Sequence, residues 1–432
     1  MNAAGSGPLT VGENSFRDSK PTDVFLVGYK ALADFAGKGV MFAITIVAAR
    51  RLTADAFGVF ALASTLGWML AVATDFGIQL HVARAVARSP KSARAVLMPW
   101  LRARFWMTAT AIAAVMLALI AMHASISFAI PMLLFSLVYG GSGLIEFLNY
   151  YYRGLSRTDI ESTLTLWQRG ATLLLGIAAL MLRPTVTALA LALLIPVGVT
   201  LAISLLVAGR LGTSANPESQ IPNPDTFWRD VFPIGLGIVL SALYFRIDVF
   251  LVQWWRGTDA VALYNAVFRL VEALRLLPAA VLAVTLPTLV RASDTRMLVR
   301  VSASVVAIAV VASAALWVAA GSIVPIVYGS AFAGAVPAFR ILVLSFPLLS
   351  LNYALTHQLV AWNGQRAYAA ICAMALVVNV TLNARLIPAL SIEGAAWATF
   401  ATELFLTMGC AVSLLVVETA ATSPVATTGS AA

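Results

Sequence analysis

Twelve long apolar stretches succeed one another along this chain, and each is long enough to cross a bilayer, which takes about 20 residues at 1.5 Å per residue. Inside lipid, backbone N–H and C=O groups must be satisfied within the spanning element, so such stretches can only be helices. They read as Asp23–Ala49, Ala56–Leu80, Ala95–Met122, Phe128–Tyr151, Thr158–Leu182 and Thr185–Leu211, then Phe227–Trp255, Ala260–Val290, Met297–Val327, Ala335–Trp362, Arg366–Ile387 and Ser391–Val417. A polar linker with Pro217, Pro222 and Pro224 separates the two sets of six. The expected architecture is therefore all-α and polytopic. It consists of a tail over 1–22, a first lobe over 23–211, a linker over 212–226, a second lobe over 227–418 and a tail over 419–432.

Composition agrees with a bilayer as solvent: 61% of the residues are hydrophobic and 11% charged, where soluble domains hold nearer a quarter charged. The net charge of +9 does not point to nucleic acid, because the basic residues are spread singly over short loops and form no basic face. They instead report topology. One set of loops and span ends holds fourteen Lys or Arg, against five on the other (Arg50, Arg51, Arg183, Arg256 and Arg385). By the positive-inside rule, both termini and the linker face the cytoplasm. Residues 1–20 lack the apolar core of a cleavable signal. Cys372 and Cys410 sit in separate spans without metal-type spacing and read as buried packing residues.

The two halves echo each other. Asp55-Ala-Phe-Gly-Val-Phe60 opens the second span just after Arg51-x-Thr53, and Asp259-Ala-Val-Ala-Leu-Tyr264 opens the eighth just after Arg256-x-Thr258. Tyr152-Arg-Gly154 precedes the fifth span as Trp362-Asn-Gly364 precedes the eleventh. Two parallel six-helix repeats with a site between them fit this pattern.

Charges inside the spans mark that site, since each costs about 3 kcal/mol at the bilayer centre unless it faces protein or water. Lys30, Asp34 and Lys38 recur every four residues in the first span and share one helical stripe. In the eighth, Asn265, Arg269, Glu272 and Arg275 fall within an arc of about 120°. In the seventh, Arg246 and Asp248 stand two residues apart and point about 200° from each other, so one of them must serve packing. One reading is a cationic cavity for a phosphate-bearing headgroup, tuned by the acids. The other is that Lys30–Asp34, Asp34–Lys38 and Arg269–Glu272 simply neutralise each other within the bundle. Asp75, Glu146 and Glu403 are single acids for which a structural hydrogen bond is the simpler account, and His357 has no visible ligand set. There is no HExxH, GxSxG or Walker loop, nor any large loop to carry chemistry, so no enzyme, metal or cofactor is expected.

The chain resembles the polysaccharide-transport, or oligosaccharide flippase, branch of the multidrug/oligosaccharidyl-lipid/polysaccharide exporter superfamily. The resemblance is carried by Ala48 to Phe60, Thr74-Asp-Phe-Gly77, Phe245 to Leu251, Leu263-Tyr-Asn-Ala266, Leu277-Pro278, Asn379-x-Thr-Leu-Asn383, Ile387-Pro388 and Glu393 to Thr399. It implies a V-shaped pair of six-helix lobes of the MATE-like kind, alternating between inward- and outward-open states. Spans one, two, seven and eight would line the cavity, with a lipid portal between one and eight. It further implies an undecaprenyl-pyrophosphate-linked oligosaccharide as substrate, in the inner membrane of a bacterium. Lys30, Lys38, Arg246, Asn265, Arg269 and Arg275 would then meet the headgroup. Asp34, Asp75, Asp248 and Glu272 would be charge partners or coupling sites for H+ or Na+. A glycan polymerase and glycosyltransferases are the expected protein partners. The other classes in view are a cation-coupled drug exporter, a non-transporting scaffold of a glycan assembly complex and a membrane glycan polymerase.

Overall fold

A computed structural model describes residues 37, 39–211, 224–275, 295–362 and 364–422. Lys30, Asp34 and Lys38, the tail over 1–22, the linker over 212–223 and the far half of the eighth span lie outside the described residues. Every regular element among the described residues is helical. A helix over 39–51 (α1) is followed by α2 (Ala54–Asp75), α3 (Ile78–Arg88), α4 (Ala93–Ala121), α5 (Ile126–Gly154), α6 (Thr158–Leu182) and α7 (Val186–Leu211). The second half holds α8 (Pro224–Leu274), α9 (Thr295–Tyr328), α10 (Val336–Ala361) and α11 (Gln365–Thr422).

Nine helices among the described residues are long and apolar enough to cross a membrane. Two of them are each a pair of spans joined at a sharp bend. α8 breaks at Gly257, whose φ of 80° suits a residue without a Cβ, and α11 breaks at Ser391. These bends separate the seventh span from the eighth and the eleventh from the twelfth.

The second span is shorter than the sequence expectation. It was expected to run to Leu80, but the helix ends at Asp75. There Phe76 and Gly77 both adopt positive φ, and the Asp75 carboxylate accepts hydrogen bonds from the N–H groups of Gly77 and Gln79. That local capping turns the chain into α3, which buries Ile78, Val82 and Val86 and leaves Arg84 and Arg88 on its outer side. Such an amphipathic helix suits the membrane interface better than its core.

Three apolar cores explain the shape. One is common to both halves and lies at the end that carries few arginines, where Phe57, Phe60 and Phe135 pack with Val252, Val261, Phe332 and Phe339. Of the other two, at the opposite end, Leu355, Leu359 and Leu406 lie in the second lobe, while Val82, Leu97 and Phe147 of the first are joined by Val231 of α8. One broad shared apex and two arms that touch again at the Phe76 turn, whose ring centre lies 5.5 Å from that of Phe232, give the shape. Burial of apolar side chains favours the apex, whereas the arms enclose a polar cleft between them.

The apex is also tied by polar contacts. Arg50 Nε donates to the Val327 carbonyl at 2.8 Å, and the Thr258 hydroxyl donates to the Asp55 carboxylate. Gly58 lies so close to the Thr258 backbone carbonyl that any Cβ would collide with it. Residues that echo each other in sequence act differently here. Thr53 caps its own helix at the Ala56 N–H, while Thr258 reaches across to the other half.

Candidate functional site

The cleft between the arms is built around one carboxylate. Glu272 Oε2 lies 2.7 Å from Arg246 Nη2 and 2.8 Å from Arg269 Nη1. The second contact is the i,i+3 pair foreseen within one helix, but the first joins two spans. Arg246 is only 2% exposed and also donates to Asn265 Oδ1 at 3.4 Å. Its guanidinium lies 4.4 Å from the Phe268 ring centre, and that of Arg275 lies 4.5 Å from the Phe245 ring centre. Aromatic faces thus hold the cations that carboxylates leave over. Among the described residues, three arginines against one glutamate leave two positive charges in excess.

These side chains meet because 265, 269, 272 and 275 recur at spacings of three and four on one helical face, and Arg246 faces that stripe from the preceding span. A cavity of about 420 Å³ opens beside them, lined by Phe42 and Thr45 of α1, Trp68 of α2, Arg269, Glu272 and Arg275, with Tyr353 of α10. A smaller void of about 30 Å³ continues between Thr65, Trp68, Tyr139, Arg246, Arg269 and Glu272. Arg269 Nε is buried there with no hydrogen-bond partner among the described residues.

Asp248 stands apart from this cluster. It is 1% exposed and accepts hydrogen bonds from the Tyr264 hydroxyl, from the Val249 N–H at 2.8 Å and from Thr399 Oγ1 at 3.5 Å. Two residues along a helix from Arg246, it points into the second lobe's packing. Glu403 is likewise internal, accepting from Asn352 Nδ2 at 2.7 Å. His357 stacks on Tyr353 with ring centres 4.4 Å apart.

A second polar cavity, of about 370 Å³, lies mostly in the first lobe, with Ile238 of α8 on its wall, and shares Met41 and Trp68 with the central cleft. Asp75 and Glu146 line it, together with Arg104 and Arg169. Arg104 carries none of the expected roles. It is 1% exposed, 3.8 Å from Asp75, and its Nε and Nη1 have no hydrogen-bond partner among the described residues. An arginine three turns into the third span was the signal for it, masked by Arg102, which is exposed two residues earlier. Glu146 lies 3.4 Å from Arg153 at the lobe's rim.

Fold and cleft together define a polytopic, helical membrane protein, two bundles around a polar centre. The chain belongs to the polysaccharide biosynthesis protein family, whose model matches residues 27–293. Its fold is shared with several solved structures. The lipid II flippase MurJ in an inward closed conformation superimposes with a TM-score of 0.72 at 13% identity, over 89% of this chain and 87% of that one. An inward-facing multidrug resistance MATE family transporter of the MOP superfamily gives 0.62 at 16% identity, over 92% and 96%. A MOP superfamily transporter from Pyrococcus furiosus, described as having a binding pocket of reverse polarity, gives 0.58 at 14% identity, over 91% and 95%. No curated protein matches the sequence.

Proposed function

We propose that this protein is a flippase that carries an undecaprenyl-pyrophosphate-linked oligosaccharide across the bacterial inner membrane by alternating access. The observation that carries the reading is the charge count of the central cleft, where, among the described residues, Arg246, Arg269 and Arg275 stand against a single carboxylate, Glu272. A pyrophosphate needs positive charge and N–H donors in a partly dry site, and guanidinium groups supply both. A cavity built to attract cationic drugs would carry the opposite balance.

The lipid enters between α1 and the span over 258–275, where Phe42 and Thr45 face Arg269 and Arg275 across the cleft. Lys30, Asp34 and Lys38 belong to the same stripe by spacing, since counting on in fours from 38 reaches Phe42. We assign the two lysines to the headgroup, and Asp34 or Glu272 to the proton or sodium ion that resets the cycle. The arginine-rich end is cytoplasmic on this reading, so the closed apex seals the periplasmic side. An anion in the cleft reduces the mutual repulsion of the three arginines and lets the arms close over it.

The test is genetic and biochemical. Arg269→Ala and Arg246→Ala are expected to remove surface glycan and leave lipid-linked repeat units accumulating on the cytoplasmic leaflet, with the protein still inserted in the membrane. Normal glycan export by both variants would reject the proposal.

A further inference from the structure

The proposed function accounts for the central cleft and leaves the first lobe's chamber without a task. The two cavities are contiguous, because Met41 and Trp68 line both. Their chemistry differs. The chamber's four charged side chains balance, with Arg104 and Arg169 against Asp75 and Glu146. Unlike the cleft, it offers a multiply charged diphosphate no excess of positive charge.

A sugar fits better. Its hydroxyls both donate and accept, so it needs neighbouring donors and acceptors, and its apolar ring faces need aromatic side chains. The chamber offers Gln168 beside the four charged groups, with Trp68 and Tyr139 on its wall. One cation in it is poorly met. Among the described residues, Arg104 is held by the Gly143 carbonyl at 3.4 Å and by Asp75 at 3.8 Å, with Nε and Nη1 unpartnered. Arg169 Nε is likewise buried without a partner among them. Burying a guanidinium with so little compensation is costly unless an anion completes its surroundings.

We propose that this chamber is a glycan subsite that selects an acidic sugar, with Arg104 facing the carboxylate of a uronic acid or a similar residue. The inference rests on the flippase reading: while the pyrophosphate occupies the central arginines, the glycan passes Trp68 into the first lobe.

Calorimetry on the full-length protein in detergent tests it with four soluble probes: inorganic pyrophosphate, glucuronate, a glucuronate-containing disaccharide and its neutral glucose counterpart. The wild type is expected to bind the acidic disaccharide at least tenfold more tightly than the neutral one, and more tightly than glucuronate alone. The double variant Asp75→Asn/Arg104→Gln removes both members of the pair, so no charge is stranded. It should bind the acidic disaccharide no better than the neutral one and keep its pyrophosphate affinity. Arg269→Gln should do the reverse. If the double variant does not fold, Ser142→Trp fills the chamber without touching its charges and should abolish disaccharide binding alone.

Equal binding of acidic and neutral disaccharides overturns the proposal, as does acidic binding that survives either chamber variant. Glucuronate binding as tightly as the disaccharide assigns the chamber to a free sugar acid and also overturns it. These failures leave the flippase reading standing. Pyrophosphate binding indifferent to Arg269→Gln would instead remove the reading on which the subsite rests.

Discussion

The central cleft and the first lobe's chamber both hold buried arginines, yet they balance them in opposite ways. In the cleft one carboxylate serves Arg246 and Arg269 together, and aromatic rings take the remaining positive charge. In the chamber each arginine has an acid in the same cavity, but Arg104 and Asp75 stand 3.8 Å apart, beyond hydrogen-bond reach. The lesson is that charge count and charge pairing are separate properties. On the reading proposed here, an excess of cations suits a phosphate, whereas balanced but loosely paired charges suit a polar ligand with both donors and acceptors.

The cleft is where the comparison breaks most visibly. Arg246→Ala leaves Glu272 with one partner fewer in a partly buried site. Truncating one member of such a hydrogen-bonded pair costs about 2–5 kcal/mol, more than tenfold in affinity, so pyrophosphate binding and surface glycan should both collapse. Glu272→Gln is the control with the opposite sign: it removes the neutralising charge, and pyrophosphate should bind at least as tightly as in the wild type by calorimetry. Weaker binding to that variant would mean the acid, not the arginines, organises the site.

The apex comes next. Gly58→Leu places a side chain against the Thr258 carbonyl, so it should wedge the two halves apart at the arginine-poor end. Phe57 and Phe332 have ring centres 5.5 Å apart across that seam. A Phe57→Cys/Phe332→Cys pair should therefore crosslink readily in the parent protein and poorly once Gly58 is replaced. Unchanged crosslinking would show that the apex does not open there.

Asp248→Asn sharpens the contrast with Arg246, two residues away. The substitution disturbs a buried network with Tyr264 and Thr399, for which about 1–3 kcal/mol of stability is the usual loss. Pyrophosphate affinity should not move. The smallest effect is expected from Asp55→Ala, since that carboxylate is exposed and such contacts contribute about 0–1 kcal/mol. A small drop in melting temperature with full transport is the outcome to look for.

Much of this was legible in the chain. Span lengths and composition require a helical bundle in lipid. The three-and-four spacing of Asn265, Arg269, Glu272 and Arg275 placed them on one face, because helical periodicity is a local property. The same periodicity dictated that Arg246 and Asp248 could not share a cavity. It could not say which one faced the cleft, since that depends on how the seventh span is rotated against its neighbours. Arg104 was missed for the same reason: two arginines near the head of a span look alike until a partner helix covers one of them. The early end of the second span was readable only in hindsight, from an acid two residues before a glycine.

Sequence by itself determined that this chain lives in a bilayer, that it is built from repeated spans, and that some charges must hide from lipid, because the cost of exposing them there is set by the residue alone. Tertiary structure decided which charges meet. Only packing across distant helices could bring Glu272 between two arginines, leave Arg104 half-satisfied, and join the lobes broadly at one end and through the Phe76 turn at the other. Such contacts depend on helix rotation and tilt, which no spacing within a single span encodes.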